Sequence, residues 1–152
     1  MIEQATERAE ILIQQKRYAE AEKILNEVLG SNPNDIYVLS LLTEANLQLD
    51  KYEKALTYVN TALGLAPDSS LIHYLKARVV LSLDKYDEAE QCLSTSVGID
   101  PDFAAAFAFW ASIKLARKQY QSALEMADQA LALEPDNVLA LNNRSTALVK
   151  LN

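Results

Sequence analysis

Apolar residues recur at helical spacing in two successive stretches of residues 70–103. The first stretch contains Leu71, Leu75, Ala77, Val80 and Leu81, and the second contains Tyr86, Ala89, Leu93, Val97 and Ile99. Polar Asp84 and Lys85 separate the two stretches, and Pro101 follows the second, where its ring cannot continue a helix. The pattern predicts two helices joined by a tight turn. Helices of about a dozen residues are marginal alone, so their stability must come from packing.

The same pattern repeats along the whole chain at an interval of 34 residues. The only prolines follow this interval, at Pro33, Pro67, Pro101 and Pro135. Four tyrosines and the alanines three residues after them do the same, at Tyr18, Tyr52, Tyr86 and Tyr120 and at Ala21, Ala55, Ala89 and Ala123. A fixed period of this size indicates an array of one supersecondary unit. We expect helix pairs near residues 2–30, 36–64, 70–98 and 104–132, then one further helix near 138–150.

The repeated alanines explain how the two helices of a pair can pack. A small side chain lets the two backbones approach closely, while the tyrosine three residues earlier fills the gap beneath the turn. A larger side chain at the alanine would overpack this contact, at a cost of ~1–3 kcal/mol. The single tryptophan, Trp110, lies in the most hydrophobic first helix, where we expect it to be largely buried.

Charge and composition narrow the classes of partner. The 152 residues include 14 basic and 21 acidic side chains, for a net charge of −7, and no basic run. Binding to nucleic acid or to an anionic membrane surface relies on Lys and Arg, so neither partner is expected. The sequence contains no signal-peptide pattern and no apolar stretch of ~20 residues. We therefore expect a cytoplasmic location and no membrane contact by this segment.

The residues that usually carry catalysis are scarce. One histidine, one cysteine and no glycine-rich phosphate loop argue against the common zinc, nucleophile–base and nucleotide sites. We interpret His73 as a helix-interface residue and Cys92 as a structural thiol. The prediction is a protein that is not an enzyme, with no cofactor and no metal.

The 34-residue unit, its small residues at the helix crossing and its terminal proline resemble the tetratricopeptide repeat (TPR) family. The resemblance covers four units, at residues 2–35, 36–69, 70–103 and 104–137, with 138–152 as the first half of a fifth. It implies an all-α, right-handed α-solenoid of antiparallel helix pairs, arranged as a single array over 1–152. The chain departs from the family at the turn, where the usual glycine is replaced by Lys16, Asp50, Asp84 and Lys118.

The resemblance also implies a protein-interaction scaffold or adaptor, because first helices in this family line a groove that holds an extended peptide or a partner helix. The groove positions carried over to this chain are Tyr37, Leu41, Glu44, Leu71, Tyr74, Leu75, Arg78, Phe109, Ser112 and Asn142. Members that bind the carboxylate tail of chaperones use Lys, Asn and Arg at these positions. Here Glu7, Glu10 and Glu44 would repel a carboxylate, so we do not expect such a tail as ligand.

Within that groove we expect an apolar shelf with Arg78 as its one cation, and with Glu10 and Glu44 favouring a basic flank of the partner. The shelf residues are Tyr37, Leu41, Tyr74, Leu75 and Phe109. Aromatic residues beside arginine are typical of binding hot spots. Helix–helix packing is the alternative role for Leu41, Leu75 and Phe109, because apolar residues at helical spacing usually belong to the core.

The last predicted helix has no second helix to cover it. Leu141, Leu148 and Leu151 would then be left exposed, so we expect the chain to be part of a longer protein. The unusually polar first helix, by contrast, has the character of a true start. An alternative function follows from the exposed helix: a self-assembly module in which it docks on its counterpart in a homodimer, or a regulatory domain of a longer protein.

Overall fold

The computed structural model describes residues 1–152 and contains nine α-helices and no strand. The helices are α1 (Ile2–Gln14), α2 (Tyr18–Ser31), α3 (Ile36–Gln48), α4 (Tyr52–Leu65), α5 (Ser70–Ser82), α6 (Tyr86–Ile99), α7 (Ala104–Ala116), α8 (Tyr120–Leu133) and α9 (Val138–Leu151). Every predicted pair begins where the repeat places it and ends one residue later than predicted. The predicted all-α repeat is confirmed.

Short polar side chains fix the start of three of the first helices. The side chains of Asp35, Ser69 and Asn137 accept hydrogen bonds from the third backbone N–H beyond them, at 3.1, 3.3 and 3.0 Å. Each cap satisfies an N–H that the helix leaves without an internal partner. Each also lies two residues after a proline of the repeat. At the equivalent position before α7 the residue is Phe103, which provides no side-chain cap.

The turn inside each helix pair uses a left-handed residue that is not glycine. Lys16, Asp50, Asp84 and Lys118 have φ between 58 and 60°. At each turn the N–H of this residue bonds the carbonyl three residues earlier, and the next N–H bonds the carbonyl five residues before it. This is the Schellman arrangement, which usually has glycine at the left-handed position. The turn geometry of the repeat is therefore retained at the expense of backbone strain.

The chain forms two compact units, which we call unit 1 (Met1–Lys85, α1–α5) and unit 2 (Tyr86–Asn152, α6–α9). The boundary lies between the two helices of the predicted repeat at 70–103. The assignment of 1–152 to a single continuous array stays a prediction.

In unit 1, each helix packs against the next, and the first helices α1, α3 and α5 are also neighbours. One core cluster combines Leu25, Val38 and Leu42 with Ala9 and Ala21. A second combines Leu39, Val59, Ile72 and Val79 with Ala55. Ala21 and Ala55 have no exposed surface, as the close-approach role predicts.

In unit 2, α7 packs against α6, α8 and α9. Glu90 on α6 accepts bonds from three side chains of α7 and the turn after it: Trp110 Nε1 at 3.0 Å, Lys114 Nζ at 2.5 Å and Arg117 NH1 at 2.9 Å. Most of the Trp110 side chain is buried, as expected, and the rest remains exposed. The indole N–H needs a polar partner, and Glu90 supplies it at the edge of the helix pair.

Replacement of Lys118 by glycine should stabilise the fold. Glycine adopts a positive φ without steric cost, so Lys118→Gly should raise the free energy of unfolding by about 0.5–1 kcal/mol after its own entropy cost is subtracted. Urea denaturation followed by circular dichroism measures the change. Asp50→Gly is the matched control and should gain less, because it also loses the 2.7 Å bond from Tyr52 Oη to Asp50 Oδ1. Destabilisation by Lys118→Gly would contradict the assignment of strain to this turn.

Candidate functional site

The first helices of unit 1 carry most of the predicted groove residues. We call this surface the unit 1 face; it comprises Glu3, Thr6, Glu7 and Glu10 of α1, Tyr37, Leu41 and Glu44 of α3, and Leu71, Tyr74 and Arg78 of α5. On each helix these residues follow three- and four-residue steps, which place side chains on one side of a helix. Two ties between neighbouring helices hold the face together, one from α1 to α3 and one from α3 to α5.

At the α1 side of the face lies a cleft of about 630 Å³. Its walls are Ile2, Glu3, Thr6, Glu7, Glu10, Asp35 and Tyr37. Four of these seven residues are acidic and none is basic. Of the acidic groups, Glu10 and Asp35 have described partners inside the protein: Tyr37 for Glu10 and the α3 N-terminus for Asp35. The cleft therefore combines negative charge with one aromatic ring.

Tyr37 is anchored at the edge of this cleft. Its hydroxyl donates a hydrogen bond to Glu10 Oε1, which ties the start of α3 to α1. The bond to the Glu10 carboxylate raises the pKa of Tyr37 above its ordinary value, with burial adding to the effect. The side chain nevertheless keeps 54% of its surface exposed. The ring is thus held in place while most of it faces solvent.

Arg78 and Glu44 form a two-pronged ion pair between α5 and α3. Arg78 NH2 lies 3.0 Å from Glu44 Oε1, NH1 bonds Oε2, and the guanidinium carbon is 5.8 Å from the centroid of the Tyr74 ring. Burial alone would raise the pKa of Glu44. The hydrogen bond and charge of Arg78, together with a weaker hydrogen bond from Gln48, outweigh burial and hold that pKa below its ordinary 4.5. The predicted roles of Arg78 as a cation for ligands and of Glu44 as a charge for a basic flank need correction, because the two charges compensate each other.

The predicted apolar shelf is smaller than expected. Leu75 is only 6% exposed and packs in the core with Leu39 and Val79, so it offers almost no surface to a partner. Leu41 is half-buried against the neighbouring core cluster, and Tyr74 is half-buried beside Arg78. Leu71, at 50% exposure, remains accessible with Tyr37.

The other three predicted groove residues lie in unit 2. Phe109 and Ser112 on α7 are half-buried, and Asn142 on α9 is exposed. Ser112 has a structural partner, because Asn143 Nδ2 donates to Ser112 Oγ at 2.8 Å and to the Ala108 carbonyl at 2.9 Å. The neighbouring amide of Asn143, and not that of Asn142, therefore joins α9 to α7.

No group of three or more His, Cys, Asp and Glu side chains is arranged to hold a metal ion. None of the nine helices is both long enough and apolar enough to cross a bilayer.

Solved structures similar to this chain are TPR proteins. MamA residues 41-end from Desulfovibrio magneticus RS-1 superposes with a TM-score of 0.76 at 21% identity, covering 99% of this chain and 90% of that one. YrrB, described as a TPR protein with an unusual peptide-binding site, gives 0.76 at 22% identity, covering 90% and 71%. The APC/C hetero-tetramer Cut9–Hcn1 gives 0.85 at 17% identity, covering 95% and 29%. These similarities confirm the all-α solenoid class.

A family model also matches the sequence. Residues 14–96, more than half of the chain, match the family described as "Anaphase-promoting complex, cyclosome, subunit 3". The chain belongs to this TPR-type family. No curated protein matches the chain in sequence.

Removal of the Arg78 guanidinium should reverse the pKa shift of Glu44. In the wild type, the depressed pKa contributes stability that is present above pH 4.5 and is lost as the pH falls through the folded-state pKa. In Arg78→Leu, burial is opposed only by the weaker hydrogen bond from Gln48, so the pKa of Glu44 should rise above 4.5 and the contribution should change sign. NMR titration of the Glu44 carboxyl carbon measures both values.

The matched control for this titration is Arg144→Leu, which removes an exposed ion pair with Asp128 in unit 2. It should leave the pKa of Glu44 unchanged. A Glu44 pKa that stays below 4.5 in Arg78→Leu would contradict the assignment of the shift to this ion pair.

Proposed function

We propose that this chain is an interaction scaffold or adaptor whose unit 1 face binds a basic segment of a partner protein, in extended or helical form. The observation that carries the proposal is the cleft of α1 and α3, where four acidic side chains and Tyr37 line one open space and no basic side chain does. A protein is the favoured partner over nucleic acid because the chain carries a net charge of −7. The cytoplasmic location expected from the sequence is part of this proposal.

The charge of the face supports a basic partner. Glu44 is neutralised by Arg78, so the electrostatic character of the face comes mainly from α1, where Glu3 and Glu7 are exposed. A Lys or Arg side chain entering the cleft would meet carboxylates without displacing an internal cation. Complementary charge of this kind increases association rate and selects the orientation of the partner more than it adds affinity.

Affinity would come from the apolar groups beside the cleft. Tyr37 is rigid through its bond to Glu10, so little conformational entropy is lost when a partner covers it. Leu71 provides a second exposed apolar surface on α5. Exposed apolar residues rimmed by charge are typical of protein interaction sites. YrrB, a protein of the same fold, is described as having an unusual peptide-binding site, which supports a peptide as the ligand here.

Selection of a random 12-residue peptide library against the chain tests the chemistry of the partner. The proposal predicts peptides enriched in Lys or Arg together with Leu or aromatic residues, and binding that weakens as salt is raised. Tyr37→Ala should reduce the affinity of a selected peptide by about tenfold or more, as truncation of an aromatic hot spot does. At low salt, Glu7→Lys should reduce the affinity of the peptide more than Tyr37→Ala does. Fluorescence anisotropy measures each affinity.

Two variants on second helices are matched controls for these substitutions. Leu133→Ala removes an exposed apolar side chain from α8, and Glu53→Lys reverses an exposed charge on α4. Both should leave peptide affinity unchanged. The proposal would be wrong if the selected peptides had no excess of basic residues. It would also be wrong if Glu53→Lys on α4 and Glu7→Lys on α1 lowered the affinity equally.

A further inference from the structure

Three exposed side chains occupy the same position in the three first helices of unit 1. Glu3, Tyr37 and Leu71 lie one repeat length apart, and each is the second residue of its helix. All three are exposed. Because α1, α3 and α5 are neighbours in that order, these residues form a line across the unit 1 face, which we call the exposed row. The row presents an acid, then an aromatic ring, then an aliphatic side chain.

The exposed row is narrow. Tyr37 and Leu71 are the only large apolar side chains of α3 and α5 that are exposed, and Leu75, one turn beyond Leu71, is buried in the core. Further along the same helices lies the ion pair of Arg78 and Glu44. A helical ligand is about 10–12 Å across, so it would also cover this ion pair and remove water from both charges. A thinner, extended ligand can follow the row without doing so.

The spacing of the row distinguishes between the extended conformations that a peptide can adopt. Packed helices lie about 8–10 Å apart, so the row offers one side chain in each interval of that length. A polyproline II segment turns once in three residues and rises about 9 Å in doing so, which brings every third side chain to the same side. In a β-strand, side chains on one side are about 6.6 or about 13 Å apart. The polyproline II period therefore matches the row, and the strand period does not.

Charge determines which side chains such a segment needs. Glu3 and Glu7 make the α1 end of the row acidic, and Asp35 lies in the same cleft. The other two positions are apolar, and the ring of Tyr37 is held in place by its bond to Glu10. Surfaces with exposed aromatic rings are the usual binding sites for polyproline II segments. The complementary ligand has one basic residue and two apolar residues at intervals of three.

We propose that the exposed row binds a segment of a partner protein in polyproline II conformation. A basic residue of the segment lies over Glu3, and apolar residues three and six positions away lie over Tyr37 and Leu71. This inference rests on the function proposed above and adds the conformation of the ligand and the spacing of its contacts. A proline-rich segment already populates this conformation before binding, so it loses little conformational entropy on the row.

Peptides with the same composition and different spacing test the period. Each contains one arginine and two leucines in a proline-rich background, at intervals of two, three or four residues and in both chain directions. Fluorescence anisotropy with the 152-residue chain measures the affinities. For the better direction, the interval of three should bind about tenfold or more tightly than the intervals of two and four, which turn the leucines away from the row. An alanine-rich helical peptide with an interval of seven should also bind more weakly.

A charge exchange tests the register of the ligand on the row. Leu71→Glu should weaken binding of the interval-three peptide by about tenfold or more, because a carboxylate then faces an apolar side chain. Replacement of the leucine farther from the arginine by lysine should restore binding to this variant. Leu65→Glu is the matched control, since Leu65 is also exposed but lies on α4, and it should leave the affinity unchanged. Both protein variants should melt like wild type.

Three results would overturn this inference and leave the proposed binding of a basic segment intact. They are equal affinities at all intervals, tighter binding of the helical peptide, and rescue of Leu71→Glu only by lysine at the leucine nearer the arginine. Failure of every arginine-containing peptide to bind would instead overturn both the inference and the proposed function.

Discussion

This structure depends on one constraint: the two short helices of each pair approach closely, and only small side chains fit where they cross. Helices of 13–14 residues are marginal alone, so each has to bury a large part of its surface against a neighbour. The alanines that follow each tyrosine are fully buried in all four second helices, as are Ala9, Thr43, Ala77 and Ala111 in the first helices. A bulky side chain at these points would separate the helices and remove contacts along the whole pair.

This constraint also determines where function can reside. The crossing restricts one side of each first helix to small or apolar residues. The side that faces away from the second helix can carry residues of any type. In unit 1 that freedom produces an acidic cleft beside an exposed, anchored tyrosine. The fold class alone does not determine function, so the particular side chains have to carry the argument.

Much of the fold could be predicted from the sequence because the same pattern of proline, tyrosine and alanine occurs four times. The proline, tyrosine and alanine intervals gave the helix limits, and the caps at Asp35, Ser69 and Asn137 follow from short polar residues two positions after proline. The left-handed turns had only an indirect signal in the sequence. The family usually has glycine at these positions, where this chain has lysine or aspartate. The bond from the Trp110 indole N–H to Glu90 had no such signal, because it depends on a contact between two repeats.

The candidate site was less accessible to sequence reasoning, because burial and pairing there depend on contacts between repeats. Leu71 and Leu75 are one helical turn apart, yet the first is exposed and the second is in the core. A usable signal was present for the ion pair, since Glu44 and Arg78 have opposite charges at equivalent positions 34 residues apart. First helices of adjacent repeats are neighbours, so such pairs can meet. The residues of the Tyr37–Glu10 hydrogen bond are not separated by one repeat length, so the sequence contains no comparable signal for this bond.

The central claim is that unit 1 presents its first helices, and not its second helices, to a basic partner segment. Backbone amide shifts of the ¹⁵N-labelled chain, followed by NMR during titration with a bound Arg- and Leu-containing peptide, test this most directly. The account predicts changes concentrated in α1, the start of α3 and the exposed side of α5, with α2 and α4 nearly unaffected. Changes concentrated in α2 and α4, or confined to unit 2, would contradict it.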